Sequence, residues 1–558
     1  MGRAATRLVR LAAATAALVA VAAQAGTAAG GPPAAGGVVH AHPRGVTIPF
    51  GEYGPDVLRY GARPAAATAA VGTVRNWLSL DDRENRYYAA PFRLAGVGQH
   101  VEVWVATDLS FPASDCRNQV DGGGRVTVTP EQAAHLVQAF DRAIYPRLSN
   151  AFSVPPPREG TQARADPFRF DPRGDGDDIV VLVENVRDTN YYDFDNRGNV
   201  PYIAGFFARD LVDFFDRNVL TIDAYDWLHR TGADPPHHPA PGDLCASAPA
   251  RPHLYESTLA HEYQHLLQYY EDPDEVNWVD EGLSDLAQRI AGFSDARRTI
   301  HQRGFDTHVQ CFLGWLGVQT DANPNPRPGG PENSLNRWSE HAGEILCDYG
   351  AAYTFMEVLA GRYGVPFIRA LHREDADGFD GLRRVLRARG VRASVPDLVA
   401  DWGAVAALDA VLDGGARFAG PRARYRTPAL RASVNWAEPR ADNPPGAPPN
   451  GSDFVRLRDR GGRFLHARQL RSLRFTAPGG SFTLQLLSYR TLPRGRAALV
   501  RIPLRGRRAA LGRQELRRLL GTNADVAAAI VTAHDPSGTA RAYARYRLTV
   551  NGVRQPGG

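Results

Sequence analysis

Apolar positions along this chain change their spacing from segment to segment, and the changes outline its architecture. Between residues 254 and 270, Leu254, Leu259, Leu266, Leu267 and Tyr270 recur at helical spacing with no Pro or Gly among them, and Pro273 follows. That pattern predicts a helix over 254–270 that stops before the proline. A second helical stretch is expected over 279–291. Residues 75–125 alternate apolar and polar positions, as in "HVEVWVATD", and read as strands. From 126 to 290 helices mix with short strands, and 292–415 reads as mostly helical around a Pro/Gly-rich loop, "TDANPNPRPGGPENS". The run "AEPRADNPPGAPPNGS" (437–452) has the composition of a linker. Beyond it, "FVRLRDR", "RFLHARQL", "SFTLQLLSYR", "ALVRIPLRG" and "AYARYRLTVNG" read as strands of a small, sandwich-like β-domain over 453–558. No internal repeat is evident. A chain of 558 residues, 43% hydrophobic, is long enough for several buried cores. The expected class is α+β.

The first residues change the picture of where the chain works. Arg3, Arg7 and Arg10 precede an apolar stretch from Leu11 to Ala23 that ends in Ala23-Gln24-Ala25. This is the layout of a secretory signal, residues 1–25, too short for a spanning helix, and it implies export. Residues 26–74, Ala/Gly/Pro-rich at the start, form a low-complexity segment or a pro-segment. Cys116, Cys245, Cys311 and Cys347 then suggest two disulfides, with Cys311–Cys347 and Cys116–Cys245 favoured among three connectivities. Buried free thiols are the alternative.

The candidate chemistry lies in "TLAHEYQHLLQYY…NWVDEGLSDLAQ". His261 and His265 are four apart, so on a helix both imidazoles face one ion. Zinc takes such a pair with a third ligand and keeps its fourth position for water. Glu262 sits beside the pair, where it can reach that water as a base. On the second helix Glu281 offers the third ligand. Asp285, one turn on, is placed to accept the other ring N–H of His261 and set its tautomer.

With those residues in view, HExxH followed by a Glu on a second helix resembles the gluzincin zinc peptidases, the broad group that includes thermolysin. "NWVDEGLSDLAQ" is similar to the Asn-Glu-x-x-Ser-Asp helix of thermolysin-like enzymes. The flanks look closer to the hyicolysin-type secreted bacterial metallopeptidases, in "VTPEQAAHLVQAFDRAIYP", "DIVVLVENVRD", "YIAGFFARDL", "NVLTIDAY" and "DYGAAYTFMEVLAGRYG". The likeness spans about residues 75–415. His265 and Glu281 are 16 residues apart, towards the short end for gluzincins, which makes the turn between the helices tight. The resemblance implies a catalytic lobe over 75–291, a helical second lobe over 292–436, and zinc held by His261, His265 and Glu281. Glu262 would pass the water's proton to the leaving amine. Tyr349 matches the position of the oxyanion-stabilising tyrosine, with Tyr353 as the alternative. His229, His237, His238, His301, His308 and His341 remain open as donors. Substrate backbone in such enzymes pairs with a sheet edge, for which 200–207 and 218–222 are candidates. The substrates implied are proteins or peptides. The rivals are an exopeptidase or narrow processing peptidase of the same clan, and a surface adhesin that keeps zinc only for structure.

Charge adds one further expectation. Residues 453–558 hold 21 Arg against 5 Asp plus Glu, a net of +16, whereas the whole chain is +5, leaving −11 for residues 1–452. A basic module on an acidic enzyme suits an anionic cell-surface polymer; a solvated domain rich in Arg by composition is the equal alternative. No nucleic-acid reader motif and no further membrane-length apolar run occur. Asp171, Asp175, Asp177 and Asp178, with Asp188, Asp193 and Asp195 nearby, form an acid-rich patch that offers calcium oxygen ligands or is simply a solvated turn.

Overall fold

The strand-forming runs up to residue 223 assemble into one seven-stranded sheet. The computed structural model describes residues 38–41 and 69–557, apart from 195–201, 241–242, 244, 295–297, 301, 317–331, 339–341, 409–429, 431, 437–445 and 491–496. The signal segment 1–25 lies outside the described residues, as do Asp195, His301 and His341. The sheet's strands are β1 (Val38–Ala41), β2 (Val74–Asp81), β3 (Arg86–Val97), β4 (Val101–Ala106), β5 (Ile179–Glu184), β6 (Tyr202–Phe207) and β7 (Val219–Asp223). Their spatial order is β1-β6-β7-β5-β4-β3-β2. The strands β2, β3 and β4 form an antiparallel meander, β4, β5 and β7 run parallel, and β6 turns antiparallel to β7. The sequence of β5, IVVLVE, is buried at every position, as expected of a central parallel strand covered on both faces. At the outer edge β1 pairs in parallel with β6, Val38 opposite Tyr202.

Helices cover the sheet and build the rest of this N-terminal half. Thr129 and Gln132 form a reciprocal capping box that starts α1 (Pro130–Ala139), which runs through a π-turn into α2 (Tyr145–Ala151). Two short helices follow, α3 (Thr189–Tyr192) and α4 (Arg209–Phe215). The predicted central helix is α5 (Leu254–Glu271), and its partner is α6 (Asn277–Ala291). Close approach of α5 to the sheet depends on Gly205 of β6, where a Cβ would lie 2.6 Å from Thr258 Cγ2 and 2.8 Å from the Thr221 carbonyl oxygen. Five helices complete this half: α7 (Thr307–Phe312), α8 (Ala342–Tyr363), α9 (Val365–His372), α10 (Gly378–Ala388) and α11 (Val395–Leu408). The disulfide Cys311–Cys347 ties α7 to α8, and Cys116–Cys245 joins two loops. One apolar core runs from Trp77 on β2 through Leu259 and Leu283 to Trp402 on α11, so the segments 75–291 and 292–436 share an interior.

The C-terminal part contains β8 (Gly451–Arg456), β9 (Ser472–Thr476), β10 (Ser481–Tyr489), β11 (Ala498–Ile502), β12 (Arg508–Gly512), α12 (Arg513–Leu520), β13 (Val526–His534), β14 (Arg547–Val550) and β15 (Val553–Arg554). They form a three-stranded sheet, β11-β10-β13, and a four-stranded one, β12-β9-β14-β15, around a second core that includes Leu473, Phe475, Leu484 and Leu548. The whole is α+β, as the patterning implied, and no helix of the described residues is long and apolar enough to cross a membrane. Three sequence expectations change. "RFLHARQL" carries a 3₁₀ turn at Ala467–Gln469 instead of a strand. β13 went unpredicted because its alanine-rich sequence, VAAAIVTAH, lacks strand-like alternation. The second half of the 437–452 segment is packed rather than free. Ser334 Oγ donates to the Pro449 carbonyl, Asn450 Nδ2 donates to Asn336 Oδ1 at 2.9 Å, and Phe454 and Ile530 join the main core.

Buried His372 ends α9 and links it to α5 and to the loop after α2. Its Nδ1 is 2.8 Å from Gln268 Oε1 and its Nε2 is 2.9 Å from Ser153 Oγ. Burial, with Arg373 beside it, pushes its pKa down to about 3 from an ordinary 6.5. The unfolded chain therefore binds a proton that the folded chain refuses. This contribution to stability is complete above pH 6.5 and is lost progressively as the pH falls toward 3. Thermal unfolding of His372→Gln between pH 6.5 and about 4 is expected to show a shallower pH slope than the parent chain. An unchanged slope would rule out His372 as the source.

Candidate metal centre

The side chains predicted to ligate zinc meet at the crossing of α5 and α6. His261 Nε2 and His265 Nε2 are 3.0 Å apart, and Glu281 Oε2 lies 3.2 Å from the first and 3.5 Å from the second. Donors about 2.0–2.1 Å from a tetrahedral zinc are separated by about 3.3 Å. The three atoms thus outline one face of such a tetrahedron. Among the described residues no fourth His, Cys, Asp or Glu joins the group. Its donor chemistry, two imidazoles and a carboxylate, fits zinc with one position left for water.

Carboxylates behind the ligands orient both imidazoles. His261 Nδ1 is 3.0 Å from Asp285 Oδ1, while Asp285 Oδ2 is 2.8 Å from His308 Nδ1 on α7. Gln288 Nε2 also donates to Asp285 Oδ1, at 2.6 Å. On the other ligand, His265 Nδ1 is 2.8 Å from Asp280 Oδ1 and 3.1 Å from Ser284 Oγ. Burial disfavours a charged His308, but Asp285 outweighs it and holds the imidazole up at about 9. Burial also opposes ionisation of Asp285, yet His308 and His261 keep its carboxyl well below the usual range. A formal charge on Asp285 is therefore available to fix the rings of His261 and His308. Asp285 stands where sequence placed it. Asp280 and Ser284 were missed, although both lie within one turn of Glu281. His308 carried no local signal, because it arrives from another helix.

The two candidate tyrosines part company. Tyr349 Oη donates to Glu281 Oε1 at 3.1 Å, and its ring stacks on His308 with centroids 4.8 Å apart. Burial raises its pKa well above the ordinary value, and the charges of Glu281, Asp285 and Glu262 add to the effect, so it is a neutral donor. Tyr353 instead faces Ser294 and the Glu357–Arg289 ion pair, away from the ligands. One helical turn separates the two on the same face of α8, and the rise of about 6 Å along the axis decides which hydroxyl lies beside the centre. A glycine sets the approach of the helix that carries them. A Cβ on Gly350 would overlap the His308 carbonyl oxygen, so only glycine lets α8 lie this close to α7.

Other expected groups lie elsewhere. His229 pairs with Asp226 at 2.6 Å and with His238 at 3.1 Å, and His237 Nδ1 accepts the Ala250 N–H. The acid-rich patch does not gather into a calcium site. Asp171 pairs with Arg75 and Arg173, Asp175 accepts the Asp177 N–H, and Asp188 accepts the N–H groups of Tyr191 and Ile203. Among the described residues of this patch no group of three lies close enough to hold an ion. The carboxylates of Asp171, Asp175 and Asp188 are thus taken up by arginines and backbone N–H groups. Of the two candidate edge runs, 218–222 is internal as β7, and 202–207 is β6, next to the outer strand β1. No known family model matches the chain, and no curated protein matches its sequence.

Loss of either orienting carboxylate should weaken metal binding without emptying the ligand set. Asp280→Asn and Asp285→Asn are each expected to lower zinc affinity about 10–100-fold. Competition against a chromophoric chelator at neutral pH measures it. Affinities equal to the parent's would mean that these carboxylates do not orient the ligands.

Proposed function

We propose that the chain is an exported zinc metalloendopeptidase of the gluzincin type. The observation that carries this reading is the three-donor face of His261, His265 and Glu281, with Glu262 next to His261 on the same helix. On this reading the sheet with α5 is the upper lobe, helices from 292 to 436 form the lower lobe, and the two C-terminal sheets make a β-sandwich. Zinc, when bound, polarises the substrate carbonyl and lowers the pKa of its water to about 7. Glu262 accepts a proton from the attacking water and delivers it to the departing amine. Tyr349, a neutral buried hydroxyl beside Glu281, donates to the oxygen on which negative charge develops. Peptide backbone pairs with the edge of β6, which packs along α5. The strand Val38–Ala41 already pairs with β6, so an entering peptide displaces it. Exposed Arg508, Arg545, Arg547 and Arg554 line a pocket of about 500 Å³ in the C-terminal part, suited to an anionic surface polymer.

One observation favours a second reading. His261 and Glu262 are 0% exposed and Tyr349 is 2% exposed, a degree of enclosure that also suits a zinc site kept for structure in a surface-binding protein. Hydrolysis of a quenched peptide library separates the two. Chelator-sensitive cleavage that Glu262→Gln abolishes while retaining zinc supports the peptidase. Zinc bound by both forms with cleavage by neither supports the structural site.

Tyr349→Phe is expected to keep zinc and to lower kcat about 10²–10³-fold, with little change in KM. Unaltered kcat would remove Tyr349 from the chemistry. Deleting residues 26–68 from the mature chain is expected to lower KM for extended peptides, because the β6 edge is then free.

A further inference from the structure

A second group of carboxylates sits where three helices end. Asp272 caps the C-terminus of α5, Glu275 lies in the turn leading to α6, and Asp377 caps the N-terminus of α10. One ligand oxygen from each lies within 4.8 Å of the others. Asp272 is 7% exposed and Glu275 is 6% exposed, while Asp377 is exposed and opens the group to solvent. Glu275 is already half used. Its Oε1 accepts the N–H groups of Val276 at 2.7 Å and Gly378 at 2.8 Å. Its Oε2 and the Oδ2 of Asp272 are buried with no hydrogen-bond partner among the described residues. Such atoms are costly unless something fills the space between them.

The surroundings favour a cation there. Asp377, Asp274 and Asp375 all add negative potential at Asp272, and the C-terminal carbonyls of α5 add to it, while the N-terminal ends of α6 and α10 act in the opposite sense. The nearest arginine contacts go elsewhere, Arg384 to Glu374 and Asp375, and Arg373 to Glu271. Burial, with Asp272 and Asp377 adding to it, lifts the Glu275 carboxyl to about 8 when no cation is present.

We propose that Asp272, Glu275 and Asp377 bind a calcium ion that clamps the turn between the two zinc-bearing helices to the start of α10. Hard oxygen donors with no nitrogen or sulfur among them select calcium or magnesium over zinc. Oxygens about 2.3–2.6 Å from one calcium span such a group, and exposure at Asp377 lets water complete six to eight ligands, as calcium requires. The clamp acts on the centre through the chain itself. The turn 272–276 sets the position of α6, and hence of Asp280 and Glu281 against His261 and His265. This inference is independent of peptidase activity, since its readouts are ion binding and unfolding.

Terbium luminescence tests it, with the full mature chain dialysed into calcium-free buffer at fixed zinc. Trp278 lies against Gly378, its Nε1 3.4 Å from where a Cβ on that glycine would be, and so sensitises an ion at this site. Saturable emission that calcium displaces is expected, with half-saturation by calcium on the order of 10⁻⁴–10⁻³ M, as in extracellular modules. Emission should fall at least tenfold in both Asp377→Asn, an exposed and structurally mild change, and Glu275→Gln. A control, Asp175→Asn, should leave it unchanged. Calcium should raise the Tm of the parent chain by several degrees and leave those of Asp377→Asn and Glu275→Gln unmoved. Emission undiminished in both variants, or a parent Tm indifferent to calcium, overturns the proposal. Glu275→Gln that is as stable without calcium as the parent is with it also overturns the proposal, because the carboxylates then share a proton rather than an ion.

Discussion

Burial of ionisable side chains at the crossing of α5 and α6 is the constraint around which this structure is organised. His261, His265, Glu281, Asp285 and Glu262 are all at least nine-tenths buried. Taken from water without partners, such groups would cost several kcal/mol each. For the two imidazoles and Asp285 the fold meets that demand by pairing. Each ligand imidazole turns one nitrogen to the metal position and the other to a carboxylate, and Asp285 is itself shared between His261, His308 and Gln288. A network of this kind tolerates little displacement, so the elements supplying it have to be held rigidly.

The scaffold supplies that rigidity by close approach. Gly205 lets the sheet meet α5, and Gly350 lets α8 meet α7, while the Cys311–Cys347 bond fastens the second pair covalently. His308 and Tyr349 therefore reach the centre from helices whose separation is set by backbone contact. Below this cluster, His372 fastens α9 to Gln268 on α5, and the acidic turn at 272–276 links that helix to α6 and α10. The C-terminal part belongs to the same mechanical unit. Phe454, Leu487 and Ile530 enter the main core, and a Cβ on Gly403 of α11 would overlap Ser452.

The enclosure of the centre and the strand paired to β6 bear on how such a site would work. Charged groups buried this deeply interact more strongly in the low dielectric around them. The same burial leaves access to be provided by movement. β1 is short and lies at the sheet edge, so it is held by few hydrogen bonds and belongs to the part of the fold that opens most readily.

Local pattern by itself determined the two central helices, their boundaries to within a turn, and the facing of His261, His265 and Glu281. Helical periodicity is a property of the segment, and a pair of ligands four apart needs no distant partner to be read. The α+β class and the position of Asp285 were legible for similar reasons, whereas the disulfides join distant residues, Cys116 to Cys245 and Cys311 to Cys347, and no local pattern selects that pairing. Tertiary structure decided the rest. Tyr349 and Tyr353 are a single turn apart on α8 and look alike in sequence, and only the packing of α8 against α6 and α7 chooses between them. His308 comes from a separate helix, so no local spacing announces it. The acid-rich run 171–178 read as either an ion site or a solvated turn, and within it Asp171 pairs with Arg75 and Arg173 while Asp175 accepts a backbone N–H. Asp272, Glu275 and Asp377 looked unrelated until the ends of three helices met. Side chains far apart along a chain are brought together only by packing, and which buried charges find a partner is settled there.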